Sequence, residues 1–338
     1  MTRRNNPVKL KTIFNFKWRN VMIRKLFAAL TVMALILTGT GCSKNGTSTS
    51  KGKKVVCATA PLYDWTRQIT GGTEKADLSL IIGNGTDLHS FQPSAADIVS
   101  IKTADVLVYV GGESDGWIRD ALKETANKDQ KVVCLMDVLK DSIVEEEVAE
   151  GMQGEDEEDG EEEGPEYDEH VWMSLRLTRK SCKAIEEALE KVLPEEAGRF
   201  RANLGSYDSK LDALDKQYEE MVKGSRLDTI VVLDRYPFRY LAEDYKLKYS
   251  AAFLGCSAET EASFETVKFL ADKVKALDLK AVLIIENSDG KLAKTVLETA
   301  GKTDAKIEVL DSMQSCGKDL DYLKTMTGNL EKLKAALS

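Results

Sequence analysis

Residues Glu195–Lys223, EEAGRFRANLGSYDSKLDALDKQYEEMVK, decide the architecture. Phe200, Leu204, Tyr207, Leu211, Leu214, Tyr218 and Met221 recur at spacings of 4, 3, 4, 3, 4 and 3, which draws one apolar stripe down a single α-helix. Gly205 interrupts the run at a cost of about 1 kcal/mol against alanine, too little to break it. At 1.5 Å per residue the helix is roughly 40 Å long, the size of a small domain. An element of that length is a strut, and the sequence on either side of it supplies the bodies it joins.

Before the strut, strand-like runs alternate with helical ones. KVVCATA, ADLSLII, DVLVYVGG and KVVCLM read as strands, with helices at PLYDWTRQIT, SAADIVSIKT and Trp117–Thr125 between them. After the strut the alternation returns: DTIVVLD, LKYSAAFLG, LKAVLIIEN and AKIEVLD, separated by helices near Phe264–Leu277 and Lys291–Thr299. Strand–helix alternation implies parallel sheets covered by helices. The fold class is therefore α/β, with two lobes, each a mostly parallel four-stranded sheet with flanking helices, bridged by one long rigid helix. In such sheets ligands gather at the carboxyl ends of the strands.

The boundaries that follow are residues 54–173 for the N-terminal lobe, 174–225 for a helical region containing the strut, and 226–338 for the C-terminal lobe. Residues 1–41 form a secretory leader. Arg24-Lys25 precede twelve apolar or small residues from Leu26 to Leu37, shorter than the ~20 a spanning helix needs. Met22 is a possible true start. Cys42 follows Thr-Gly-Thr-Gly and resembles the lipidated cysteine of bacterial lipoproteins, with residues 42–53 as a polar, flexible tether. A leader cleaved without lipidation and an uncleaved anchor are the alternatives.

A net charge of −9 over 338 residues argues against nucleic acid as a partner. The charge is uneven: residues 1–25 hold eight basic and no acidic residues, whereas 145–169 hold fifteen acidic and no basic ones. Between them the chain is near neutral, so function belongs to a site. The acidic tract 145–169 is expected to be a disordered surface loop. Cys57, Cys134, Cys182, Cys256 and Cys316 show no C-x-x-C spacing and read as buried free thiols.

Both histidines of the chain sit at element junctions: His89 in GNGTDLHSFQPSAAD and His170 in YDEHVWMS. Each has an acid one or two residues before it, Asp87 and Glu169, able to orient an imidazole through its second nitrogen. Imidazole pairs with carboxylates around zinc, manganese or iron(II). Glu286 and Asp311 end two strands of the second lobe, so one cation between the lobes can draw on His89, His170, Asp311 and, less directly, Glu286.

The motifs DLHSFQPSAADI, DEHVWMS, DRYPFRYLAEDYKL, CSAETEASF, LIIENSDGKLAKTV and LDSMQS, in this order over residues 54–338, resemble the solute-binding lipoproteins of zinc and manganese ABC transporters. The resemblance implies two α/β lobes, a rigid bridging helix and one divalent metal in the cleft. It places ligands on His89, His170 and Asp311. The third position of the family pattern, a histidine or glutamate, reads Arg235 here, and a guanidinium has no lone pair to give. Water, Glu286, Glu259, Glu261 or Asp234 then completes the shell, and Arg235 is left to pair with a cleft carboxylate. The implied cargo is Zn2+, with Mn2+ or Fe2+ as alternatives. The implied partners are an ABC permease, its ATPase and the membrane that holds the lipid, with the protein a monomer on the extracytoplasmic face. It is not an enzyme on this reading. An exported metallohydrolase is the competing class, against which stands the absence of H-E-x-x-H, G-x-S-x-G and P-loop motifs.

Overall fold

In the computed structural model, residues 52–83, 85–154, 166–257 and 261–338 are described. The leader, the Cys42 lipidation position and all but the last two residues of the tether lie outside them.

The first sheet consists of β1 (Lys53–Cys57), β2 (Ala76–Leu80), β3 (Val106–Tyr109) and β4 (Lys131–Cys134), in the order β2-β1-β3-β4 with every pair parallel. Helices α1 (Ala60–Thr70), α2 (Ala95–Thr103) and α3 (Trp117–Leu122) make the crossovers, and the short α4 (Leu135–Val138) follows β4. Ser94 begins α2 in a capping box with Asp97, which satisfies donors at both ends of the first turn.

The second sheet repeats the plan. β5 (Thr229–Tyr236), β6 (Lys248–Leu254), β7 (Ala281–Ile285) and β8 (Lys306–Leu310) are ordered β6-β5-β7-β8, again all parallel. Here α7 (Arg239–Tyr245), α8 (Phe264–Ala276) and α9 (Lys291–Ala300) connect the strands, and α10 (Tyr322–Ala336) closes the chain. The buried stretches of the central strands, residues 55–57, 106–109, 230–233 and 281–285, are apolar because both faces are covered. Ile230, Val232, Leu283 and Ile285 face one core, and Val231, Leu233, Val282 and Ile284 face the other, under α8 and α9.

Between the lobes run α5 (Leu175–Val192) and α6 (Ala197–Gly224), the latter a helix of 28 residues. Phe200, Leu204, Tyr207, Leu211, Leu214 and Tyr218 are all buried along it, as the spacing predicts. The first core runs without a break from the first sheet through α5 and α6 to one face of the second sheet and α10. The strut is thus part of a shared interior, which resists wide hinge opening. Arg179 grips Asp208 and Asp212, and Arg176 grips Asp215 and Glu219, tying α5 to α6 on their exposed side.

The acidic tract departs from the expected loop at both ends. Glu145 bridges Tyr167, the Glu146 N–H donates to the Glu166 carbonyl at 2.8 Å, and Gln153 bridges Phe253 in β6. The two ends of the tract thus pair with each other, and Gln153 pairs with β6. Residues 155–165 lie outside the described residues.

Candidate metal centre

Loops at the carboxyl ends of β2, β3, β6 and β8 meet the segment that precedes α5. His89 sits in a 3₁₀ turn, Leu88–Ser90, after β2, where Asp87 caps the turn by accepting the His89 N–H at 3.0 Å. His170 immediately precedes a second such turn, Val171–Met173. That turn is pinned to the other lobe: Trp172 Nε1 donates to the Ser312 carbonyl at 2.8 Å, and Tyr322 Oη donates to the Trp172 carbonyl at 2.6 Å.

The two imidazoles bring Nε2 to within 3.4 Å of Nε2. Two nitrogens bound to one zinc at about 2.0–2.1 Å with a tetrahedral angle stand roughly 3.4 Å apart, so the pair is already at ligand spacing. The bonds behind the rings set the tautomers. His170 Nδ1 lies 3.0 Å from the Asp168 carboxylate, which accepts its hydrogen. His89 Nδ1 lies 2.7 Å from Ser114 Oγ, and that hydroxyl donates onward to Glu169 Oε1, so this ring also donates at Nδ1. Both lone pairs are therefore on Nε2 and aimed at one point. The Gln314 amide nitrogen stands at that point, 2.8 Å from His89 Nε2 and 2.7 Å from His170 Nε2. An amide NH₂ carries two hydrogens, and one group satisfies both acceptors.

Glu169 is 2% exposed and, besides Ser114 Oγ, receives the Ser114 N–H at 3.1 Å. Its Oε1 is 3.3 Å from His89 Nδ1 and 3.9 Å from Cys256 Sγ. Among the described residues His89, Glu169, His170 and Cys256 each offer a donor atom within 4.8 Å of the other three. Two glycines make this crowding possible. A Cβ on Gly112 would lie 2.1 Å from Glu169 Oε2, and one on Gly255 would lie 2.8 Å from His170 Cε1. The loops after β3 and β6 thus lie directly on the site, with bare backbone against the functional side chains.

Burial and the neighbouring charge of His170 push the His89 imidazole down to about 3. Burial also opposes charge on His170, but Asp168, Glu169 and Glu146 together outweigh it and raise this imidazole above its ordinary value. An additional proton on the pair therefore goes to His170, not to His89. Burial, with Asp168 and Glu166 nearby, lifts the Glu146 carboxyl to about 7.

Arg235 pairs with Asp87 at 2.9 Å, joining β5 to the loop of the other lobe that carries His89. The register of β5 against β6 shifts between Val232 and Arg235, and Asp234 Oδ1 accepts the Arg235 N–H at 2.9 Å. The Asp234 side chain is thereby held against its own strand. Asp87 orients its turn and Arg235, while Ser114 orients the His89 ring. Asp168, not Glu169, orients His170.

The structure does not bring Asp311 to the imidazoles. Its Oδ1 accepts the Met313 N–H at 2.9 Å, and the side chain lines a separate cavity of 870 Å³ with Ser315, Cys316 and Lys324. Glu286 accepts from Ser312 Oγ at 2.6 Å, the Ser312 N–H at 2.7 Å and the Gln314 N–H at 3.3 Å, which positions the loop that delivers Gln314. The chain turns sharply after β8, so the group that reaches the site is three residues past the strand-end acid. Glu261 is exposed, and Glu259 lies outside the described residues. A cavity of 490 Å³ opens onto Glu169 and Cys256, lined also by Gly111, Gly112, Arg119 and Glu146. Sequence reasoning missed Ser114, Gln314 and Cys256 as parts of the site. For Cys256 a signal existed, its place in the loop at the carboxyl end of β6.

The profile of the family described as zinc-uptake complex component A, periplasmic, matches residues 55–336. The chain belongs to this zinc-uptake component A family. It is 30% identical over 329 residues to the high-affinity zinc uptake system protein ZnuA of Bacillus subtilis, covering 94% of this chain and 99% of that one. It is also 30% identical over 295 residues to the zinc-binding protein AdcA of Streptococcus pyogenes, covering 84% of this chain. The match spans 56% of that relative's length. Among solved structures, the Zn(II)-bound ZnuA-like domain of Streptococcus pneumoniae AdcA is similar at a TM-score of 0.67 and 27% identity, covering 85% of this chain and 99% of that domain. The two parallel sheets and the long helix are those of the zinc-uptake component A fold.

Proposed function

We propose that the protein captures one zinc ion outside the cytoplasm and delivers it to an ABC permease driven by an ATPase. A lipid on Cys42 tethers it to the membrane, and it works as a monomer without turnover. The observation that carries the reading is the convergence of two Nε2 lone pairs, 3.4 Å apart, in tautomers held by Asp168 and by the Ser114–Glu169 relay. Family membership and the zinc-named relatives support it. Zinc is favoured over manganese or iron(II) because two imidazoles at tetrahedral spacing suit a four-coordinate ion better than an octahedral one. The shared core around α5 and α6 suits small lobe adjustments on loading.

Metal analysis and titration calorimetry of the purified protein, with His89→Ala and His170→Ala alongside, test this. One equivalent of zinc is expected in the parent and none retained in either variant at unchanged circular dichroism. Full zinc retention by both variants refutes the site.

A further inference from the structure

The family pattern leaves the third ligand position to Arg235, which is engaged with Asp87, and among the described residues the second lobe brings the imidazoles the neutral amide of Gln314 and the thiol of Cys256. A dication held by the two Nε2 atoms meets two neutral imidazoles, while Glu169 is engaged with Ser114 behind His89 and Asp168 with Nδ1 of His170. Burying a doubly charged ion requires further negative charge in contact with it. Among the described residues, Cys256 is the further donor grouped with the imidazoles.

We infer that Cys256 is a metal ligand, binding as the thiolate together with His89 and His170 while Glu169 stays behind His89 on Ser114, and that it supplies from the second lobe the anionic donor the Arg235 position lacks. Three observations carry this. Sγ belongs to the group of four donors within 4.8 Å of one another. Tetrahedral zinc with Zn–S of about 2.3 Å needs S···N separations of roughly 3.6 Å, a distance within the 4.8 Å span of this donor group. Gly255 fixes the loop by lying against the His170 ring, so the thiol is held at the site by backbone and not by a long flexible side chain. The 490 Å³ cavity reaches Cys256, giving a cation access to the thiol. On binding, the S–H bond of Cys256 breaks as the sulfur–metal bond forms, and the proton passes to solvent. The Gln314 amide, no longer bonded to both rings, turns aside. A soft thiolate raises affinity for zinc and leaves manganese, a hard ion, little affected, so Cys256 is also the residue that sets metal preference.

The inference rests on the proposed zinc capture, and cobalt(II) separates the two. Cobalt bound to the full chain is expected to show a near-ultraviolet sulfur-to-cobalt charge-transfer band that Cys256→Ser abolishes and Cys316→Ser retains. Zinc affinity of Cys256→Ser is expected to fall at least about tenfold, the scale for losing even a group behind the ligands, with manganese affinity unchanged. In the unmutated chain, zinc should slow alkylation of Cys256, mapped by mass spectrometry, which keeps the test independent of how well the variant folds. One bound equivalent of cobalt without the band, or alkylation of Cys256 at the same rate with and without zinc, overturns the ligand assignment and leaves zinc capture standing. Absence of any bound metal in the unmutated chain overturns both.

Discussion

Asp168→Asn isolates the contribution of tautomer control. The side chain is 3% exposed, its Oδ1 accepts both the His170 N–H at 2.8 Å and Nδ1–H at 3.0 Å, and its carbonyl accepts from Tyr240 Oη at 2.6 Å. Asparagine fills the same space. Its oxygen can still accept the backbone N–H, but its amide can donate to Nδ1, and that arrangement moves the ring hydrogen to Nε2 and removes the lone pair facing the ion. The negative charge that offsets burial of His170 disappears as well. Loss of a carboxylate behind a metal-bound histidine weakens binding about 10–100-fold, or about 1.4–2.8 kcal/mol. Competition against a chelator of known zinc affinity reads this directly, with circular dichroism to confirm the fold and ¹⁵N imidazole shifts to report the tautomer. Zinc affinity within twofold of the parent, in a folded variant whose His170 hydrogen has moved to Nε2, would refute the tautomer argument.

Other outcomes follow from the same geometry. Because His170 is held above its ordinary value by Asp168, Glu169 and Glu146, zinc must displace a proton there, and affinity should fall as pH drops through that raised value; calorimetry across pH should show about one proton released at this ring on the acid side. Gln314→Glu puts a carboxylate where the amide stands 2.7–2.8 Å from both rings, and chelator competition should show zinc binding tightened about tenfold, since each factor of ten needs only about 1.4 kcal/mol. Gly205→Ala meets nothing within 4 Å of its new Cβ in the middle of α6, so thermal unfolding should show a gain of about 1 kcal/mol, with zinc affinity unchanged.

Helix and strand periodicity made the architecture legible before any coordinates. The stripe from Phe200 to Tyr218 is buried as its spacing requires, and the runs read as strands pair in two parallel sheets of four. These signals are local: whether a residue is buried recurs every 3.6 or 2 positions along the chain. Composition carries no information about Glu145 pairing with Tyr167 or Gln153 with Phe253 at the ends of the acidic tract.

Sequence by itself determined which side chains could bind a cation: two histidines at element junctions, with acids beside them, and an arginine that cannot serve. Tertiary structure decided which partners each would have. Asp311 directly follows β8, yet the turn there holds the acid on the Met313 N–H and brings Gln314 to the rings. Cys256 and Glu169 are 87 residues apart along the chain and meet only because the loop after β6 closes over the segment before α5. Ligand geometry is a matter of ångströms between distant residues, and it is set by how packed loops lie on one another, down to the missing Cβ atoms of Gly112 and Gly255.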